Sequence, residues 1–305
     1  MNSGTPLADI QIRDPFIVTD VAAGRYLLFG TGGFGEASHG GFVMRASSDL
    51  KTWSEPQPAL TPSAGPAGAT YFWAPEVVAY RGRWYLFGSF MHGMEIVGPE
   101  QRYTRLYVAD TPEGPYLPLT DGPITPAGWW CIDGTLHVEP DGRPWLVFVR
   151  EWLQVSDGEM HALPLTADLR EPAGGPRRLF RASEAEWSRP QTWEKFSGYR
   201  VTDGPWLHRT AAGTLLMLWS SFGSGGYLTG VARSTSGAIL GPWVQSPEPL
   251  FAADGGHPML FRTLEGTLMM ALHAPNRPGH ERARLLPLRE TPDGLALVQA
   301  GRPNS

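Results

Sequence analysis

The chain has 305 residues, a formal net charge of −5 and 18% charged residues, with no basic cluster longer than Arg177-Arg178. That balance offers nothing to neutralise a phosphate backbone, which argues against nucleic acid as a partner. No stretch reaches the ~20 apolar residues of a membrane span, and the lone Cys131 rules out an internal disulfide. With 42% hydrophobic residues, 37 Gly and 29 Pro, the composition is that of a globular, turn-rich chain in which long Glu/Lys-rich helices have no place. The start, Met1-Asn2-Ser3-Gly4-Thr5-Pro6, has neither the basic nor the apolar part of a signal peptide, so cytoplasmic is the default expectation. No linker or low-complexity tract interrupts the chain, and one domain over residues 1–305 is expected.

In chain order, apolar runs come in pairs around short Gly-containing turns. Phe16-Ile17-Val18 and Tyr26-Leu27-Leu28-Phe29 flank Gly24-Arg25, and Val77-Val78-Ala79-Tyr80 and Trp84-Tyr85-Leu86-Phe87 flank Arg81-Gly82-Arg83. Thr135–Val138 and Trp145–Val149 flank Asp141-Gly142, a turn step. Trp206–Arg209 with Leu215–Trp219, and Met259–Arg262 with Leu268–Leu272, complete the series. Each unit carries the hairpin signature. A third run follows in most units, as at Phe42–Ala46, Arg105–Ala109 and Thr229–Arg233, and then an aromatic such as Trp53, Tyr116 or Trp243. Residues 183–199, with Trp187 and Trp193, stand out as an insertion.

A polar residue precedes the first run of each unit: Asp14, Glu76, Asp133, Asp203 and His257, at steps of 62, 57, 70 and 54. Repeats of ~50–70 residues with about four strands each predict an all-β fold, a five-bladed β-propeller. In that architecture the five polar residues converge on one end of the central axis. The returning second strands bring Gly30-Thr31, Ser89-Phe90, Arg150-Glu151, Ser220-Ser221 and His273 to the same end. Carboxylates facing one another there divide their pKa values, since like charges oppose joint ionisation. One acid and one base in a common pocket is the requirement of glycoside hydrolysis.

The phrases Arg13-Asp14-Pro15, Trp73-Ala74-Pro75-Glu76, Ile132-Asp133-Gly134 ahead of Asp141-Gly142, Asp203-Gly204-Pro205 and Gly256-His257 occur in the order and spacing seen in glycoside hydrolase family 43. The chain resembles that family over residues 10 to 280, nearly its whole length. The resemblance implies a five-bladed propeller that hydrolyses α-L-arabinofuranosyl or β-D-xylosyl linkages of plant-type oligosaccharides, inverting and exo-acting, with no required cofactor. Asp14 matches the general base and Asp133 the acid that raises the pKa of the proton donor. The family's donor is a Glu before Gly-Pro, and here that place holds Asp203. Its carboxyl is one methylene shorter, a difference of about 1.5 Å, and a misplacement of that order costs about 100-fold in rate. Either the pocket is reshaped around Asp203, or Glu151 donates the proton, or catalysis is weakened. Inverting pairs stand about 6.5–9.5 Å apart to admit water.

Phe72 and Trp73 are candidates for packing on a sugar face, and Arg13, Arg150, Glu76 and His273 for binding hydroxyls. His257 resembles a family histidine that in some members contacts a central calcium, although calcium prefers six to eight oxygen ligands. The rival readings are a sugar-binding propeller with degraded catalysis, motivated by Asp203, and a fructan-type hydrolase of the related five-bladed clan, whose Asn-Asp-Pro and Glu-Cys steps are not evident. Gly30-Thr31-Gly32-Gly33-Phe34-Gly35 fits a dinucleotide pattern, but Gly40-Gly41 breaks the helix that should follow, so it is read as a loop at the funnel mouth. Cys131 has no paired His in sequence and reads as a buried, inert thiol. Oligomeric state leaves no mark in the sequence.

Overall fold

In the computed structural model, residues 4–31, 41–61, 63–92, 102–193, 196–292 and 294–298 are described. Five four-stranded antiparallel sheets form the five blades of a β-propeller. Blade one comprises Arg13–Asp20, Arg25–Thr31, Phe42–Ser47 and Gln57–Leu60, and blade two Tyr71–Tyr80, Arg83–Met91, Arg102–Ala109 and Leu117–Pro118. Blade three comprises Cys131–Val138, Pro144–Arg150, Glu159–Pro164 and Arg177–Arg181. Blade four comprises Asp203–Arg209, Leu215–Gly223, Gly226–Ser234 and Trp243–Gln245, and blade five Gly256–Arg262, Leu268–Ala274, Arg282–Thr291 and Gly294–Leu297. The α-helix among the described residues is one turn, Trp152–Val155. No helix among them is long and apolar enough to cross a membrane. The expected loop at Gly30–Gly35 falls mostly outside the described residues, from position 32 onward.

The first hairpin of every blade breaks register at the same place. The shifts lie between Arg13 and Phe16, Trp73 and Glu76, Ile132 and Thr135, Asp203 and Trp206, and Gly256 and Met259. The first residue inside each bulge has a left-handed backbone: Asp14, Ala74, Asp133, Gly204 and His257 have φ of 50°, 47°, 55°, 52° and 55°. In four blades the second is a proline, Pro15, Pro75, Pro205 or Pro258, and in blade three it is Gly134. Proline lacks an N–H, so it is tolerated where the ladder is interrupted. The repeating unit is therefore an X-Pro bulge, and the expected set of five equivalents needs two corrections. Ala74, not Glu76, and Gly204, not Asp203, occupy the positions of Asp14, Asp133 and His257. Glu76 is the first residue past its bulge and Asp203 the last before its own.

The amides of these five residues form a belt from blade to blade. Ala74 N–H donates to Thr31 Oγ1 (2.7 Å), Asp133 N–H to Ser89 Oγ (2.7 Å), and His257 N–H to Ser220 Oγ (2.9 Å). Asp14 N–H donates to His273 Nδ1 (3.3 Å), which closes blade five onto blade one. Each acceptor stands on the second strand of the preceding blade, opposite the last residue before its bulge. Blade three has the apolar Val149 there, and the side chain of Asp133 substitutes: Gly204 N–H donates to Asp133 Oδ2 (3.0 Å). A carboxylate is thus held in place by the need to satisfy a buried amide. The N-terminal segment reinforces closure, since Ile12 N–H donates to Glu281 O (3.1 Å) and Gln11 bridges Arg282 of blade five.

Apolar faces fill the spaces between blades. Phe42 meets Phe72 and Phe90 edge-on or tilted at 5.7 and 5.9 Å, and Trp219 packs with Phe180 and Trp187 at 5.3 and 4.8 Å. Each such side chain contributes about 1.5–3 kcal/mol when fully buried. At the strand ends away from the bulges, Glu139 accepts from Ile239 N–H (2.6 Å) and pairs with Arg209 (3.1 Å), and Glu290 pairs with His208 (2.9 Å). The insertion expected at 183–199 contains a short hairpin, Gln191–Trp193 with Phe196–Tyr199, paired with itself rather than with a blade.

Replacing a belt acceptor tests this account. Ser89→Ala leaves the buried Asp133 amide without a partner and should lower unfolding free energy by about 1–3 kcal/mol, measured by chemical denaturation. An unchanged midpoint would show that the belt contributes nothing to stability.

Candidate active site

The bulges converge on a cavity of about 230 Å³. Its lining includes Arg13, Asp14, Trp73, Asp133, Glu151, Asp203 and His257, seven of the residues singled out in sequence. Six more close it: Arg102 from the third strand of blade two, Ile132, Trp152, Tyr199, Val201 and Phe222. Trp152 follows Glu151 directly, and Tyr199 and Val201 lead into Asp203, so their proximity in sequence was the available signal. Arg102 was not singled out, because the apolar run of that strand is legible only from Arg105, three residues past its start.

Asp14 is the most heavily supported group. Its Oδ2 accepts from the Thr31 hydroxyl (2.8 Å), the same hydroxyl that receives the Ala74 amide. Its Oδ1 faces His257 Nδ1 at 3.3 Å and Arg13 Nε at 3.6 Å. Burial opposes charge on Asp14, but His257, Arg13 and the Thr31 hydroxyl outweigh it, and the carboxyl is held below its ordinary value. Asp133 is the opposite case. Burial first, then the charge of Asp14, push its carboxyl up to about 8 against the opposing Gly204 amide. Asp203 is raised to about 7 by burial, then by Asp133 and Glu151, against the hydroxyl of Tyr227 that donates to its Oδ2 at 2.8 Å. Glu151 is buried and ion-paired with Arg102, whose guanidinium also lies over the Trp73 ring at 5.4 Å. One cavity therefore holds a carboxyl pushed down, Asp14, beside one pushed up to about 7, Asp203.

Four expected substrate contacts are placed elsewhere. Phe72 is 2% exposed and packs edge-on against Phe42 and Phe90, because it points to the opposite face of the strand from Trp73. Arg150 lies over Trp129 at 4.0 Å, donates to Gln154 and faces Glu159, outside the cavity lining. Glu76 is buried beyond its bulge and hydrogen-bonded with Thr135, and burial raises its carboxyl well above the ordinary value. His273 is fully buried behind Asp14. Its Nδ1 accepts the Asp14 amide, Nε2 faces Asn276 Oδ1 (3.2 Å), and burial lowers its pKa to about 3, so it is neutral.

The calcium expected near His257 does not fit these residues. The imidazole faces Asp14 and, at 3.8 Å, Asp133 Oδ2, and no group of three or more His, Cys, Asp or Glu arranged to hold a metal occurs among the described residues. Cys131 is buried and its thiol is pushed far up by desolvation, which makes it inert.

A five-bladed propeller with paired carboxylates at one end of its axis defines a glycoside hydrolase architecture. The family model for glycosyl hydrolases family 43 matches residues 3–295. An endo-arabinase from Bacteroides thetaiotaomicron is 38% identical, with a TM-score of 0.85, covering 96% of this chain and 99% of its own. A thermostable family-43 glycoside hydrolase (23% identity, TM-score 0.79, 100% and 98% covered) and an α-L-arabinofuranosidase from Lactobacillus brevis (20%, 0.72, 99% and 97%) share the fold. A search of the curated proteins found no match. The chain belongs to glycosyl hydrolases family 43 and is a glycoside hydrolase acting on carbohydrate.

The hydroxyl of Tyr227 stabilises the ionised form of Asp203, so Tyr227→Phe should raise the Asp203 pKa above its value of about 7. A ¹³C NMR titration of the aspartate carboxyls measures it. A downward shift or none would remove Tyr227 from the electrostatics of the site.

Proposed function

We propose that the protein is an inverting glycosidase for α-L-arabinofuranosyl linkages, with Asp14 as general base, Asp203 as general acid and Asp133 as the residue that keeps Asp203 protonated. The observation that carries this reading is the opposed pair of pKa values in one cavity, Asp14 lowered and Asp203 raised to about 7. Asp14 takes a proton from water as the water oxygen bonds to the anomeric carbon. Asp203 delivers its proton to the departing glycosidic oxygen, and the anomeric configuration inverts. Arg13 and His257 hold Asp14 charged until it receives the proton. Asp133 and Asp203 are raised together, to about 8 and about 7, and like charges oppose their joint ionisation.

Asp203 is preferred to Glu151 as donor because burial raises its carboxyl to about 7, whereas Glu151 is engaged by Arg102 in an ion pair. The shorter Asp is braced by Tyr227, from the third strand of its own blade, which offsets the lost methylene by fixing the carboxyl. Trp73 presents a ring to the cavity for the sugar face. The arabinofuranosyl preference over xylosyl rests on the 38% identity with an endo-arabinase. Exo attack is the mode that the small cavity supports; the same neighbour favours endo attack as the alternative, and the products from linear arabinan distinguish them. Single arabinose units mark exo action, and mixed oligosaccharides mark endo action.

Two outcomes test the mechanism. On a nitrophenyl α-L-arabinofuranoside, Asp14→Asn should reduce kcat by about 100- to 10,000-fold. Asp203→Asn should reduce it far more on arabino-oligosaccharides than on the aryl glycoside, whose leaving group needs little protonation. Equal losses would transfer the acid role to Glu151. Turnover absent from folded wild type on every glycoside, with sugar still bound, would favour a binding propeller.

The pH profile follows from the same groups. Asp203 donates only while protonated, so kcat/KM should fall as pH rises through about 7, with the coupled Asp133 at about 8 broadening the limb. The acid limb belongs to Asp14 and should lie below the ordinary carboxylate range. A falling limb near pH 5 would contradict the assignment.

A further inference from the structure

The hairpin Gln191–Trp193 and Phe196–Tyr199 takes no part in any blade, yet its last residue, Tyr199, lines the cavity. Tyr199 lies flat on Trp152, with centroids 3.8 Å apart and planes 17° from parallel, and both rings line the cavity. Phe196 and Trp193 meet Trp152 edge-on at 5.5 and 6.3 Å, and lie parallel to one another at 6.1 Å. Four aromatic rings thus form one connected group centred on Trp152, and two of them line the cavity. Trp193 is 47% exposed and is the one aromatic among the exposed large hydrophobic side chains of the described residues.

The feet of the hairpin are fixed to the propeller. Arg189 N–H donates to Phe222 O (2.8 Å) beside the cavity, and Arg200 N–H donates to Ser156 O (2.9 Å) just after the Trp152–Val155 turn. Anchored at both ends, the rings form a wall of settled position. The wall also has a definite side. Tyr199 and Val201 lead into Asp203 on blade four, and Trp152 follows Glu151 on blade three, whereas Asp14 lies on blade one. In a five-membered ring, blades three and four are the two that do not adjoin blade one. An inverting displacement brings water from the side of the base and expels the leaving group on the side of the acid.

We propose that this aromatic wall is the subsite for the leaving-group sugar: Trp152, Tyr199, Phe196 and Trp193 bind the ring or rings attached to the departing oxygen. The inference rests on the assignment of Asp14 as base and Asp203 as acid. A sugar ring offers a face of C–H groups with slight positive charge, which suits the negative face of an aromatic ring. A substrate whose leaving part is itself a sugar chain gains contact with the wall, and a simple alkyl glycoside gains none. The protein is thereby matched to oligosaccharides rather than to isolated glycosides.

The test uses Asp14→Asn protein, in which intact sugar can be titrated calorimetrically with α-1,5-arabinotriose and with methyl α-L-arabinofuranoside. The trisaccharide should bind about tenfold more tightly, and adding Trp193→Ala should reduce that ratio about fivefold, while Trp193→Phe keeps most of it. A trisaccharide that fails to bind, that binds no better than the methyl glycoside, or whose advantage survives Trp193→Ala overturns the wall. Turnover persisting in Asp14→Asn would count against the base instead, and the wall is then judged by the same ratio taken from kcat/KM.

Discussion

Five buried backbone amides, one in the bulge of each blade, govern the arrangement of everything at the mouth of this propeller. Each must find an acceptor on the neighbouring blade, because an unpaired buried N–H costs about 1–3 kcal/mol. Thr31, Ser89, Ser220 and His273 supply four acceptors, and Asp133 supplies the fifth with its own side chain. The left-handed backbone at four non-glycine residues costs about 1–3 kcal/mol each, which the surrounding sheets must offset. In return, Asp14, Asp133 and His257 are presented by backbone that is fixed on both sides. Catalytic geometry and blade-to-blade cohesion rest on the same hydrogen bonds.

The architecture was legible because propeller hairpins declare themselves twice, in paired apolar runs and in the Gly turns between them. The cavity was legible where chemistry and position coincided, as at Asp14, Asp133, Asp203, Glu151, Trp73 and Arg13. Aligning the repeats by their acidic residues concealed the true register. Pro15, Pro75, Pro205 and Pro258 carried it, and they show that Ala74 and Gly204 are the equivalents of Asp14. Phe72 was misplaced for a reason of parity, since alternate residues of a strand face opposite sides and Trp73 took the cavity side. Arg150 looked like a ligand for hydroxyls, yet Glu159 and Trp129 hold it, and only tertiary packing reveals such a partner.

Burial and neighbouring charge together divide the proton affinities of Asp14, Asp133 and Asp203. Four acidic side chains line the cavity with two arginines. Arg13 lies beside Asp14 and Arg102 beside Glu151, so these two are the carboxylates with a cation at hand. Asp133 and Asp203 have no arginine within ion-pair distance, are desolvated, and face the charge of the others. Burial first, and then neighbouring charge, raises these two carboxyls. The exchange of a longer acid for Asp203 leaves this pattern intact, since the proton is retained by the surroundings and not by chain length.

The position of Asp203, one residue before its bulge, has a steric cause. A Cβ at Gly204 would stand 2.8 Å from His257 Cγ and 2.9 Å from His257 Cα, closer than side chains tolerate. Blade four must therefore keep glycine where blades one and three carry aspartate. The space so freed is what lets the His257 imidazole reach both Asp14 Oδ1 and Asp133 Oδ2. A carboxyl at residue 204 would displace that imidazole and with it one of the groups that face Asp14 Oδ1. Placed at 203 instead, the acid faces the cavity beside the Tyr227 hydroxyl, opposite Ser220 in the hairpin register. The glycine in blade four and the aspartate before it are thus two consequences of one constraint, the close approach of His257 to Asp14.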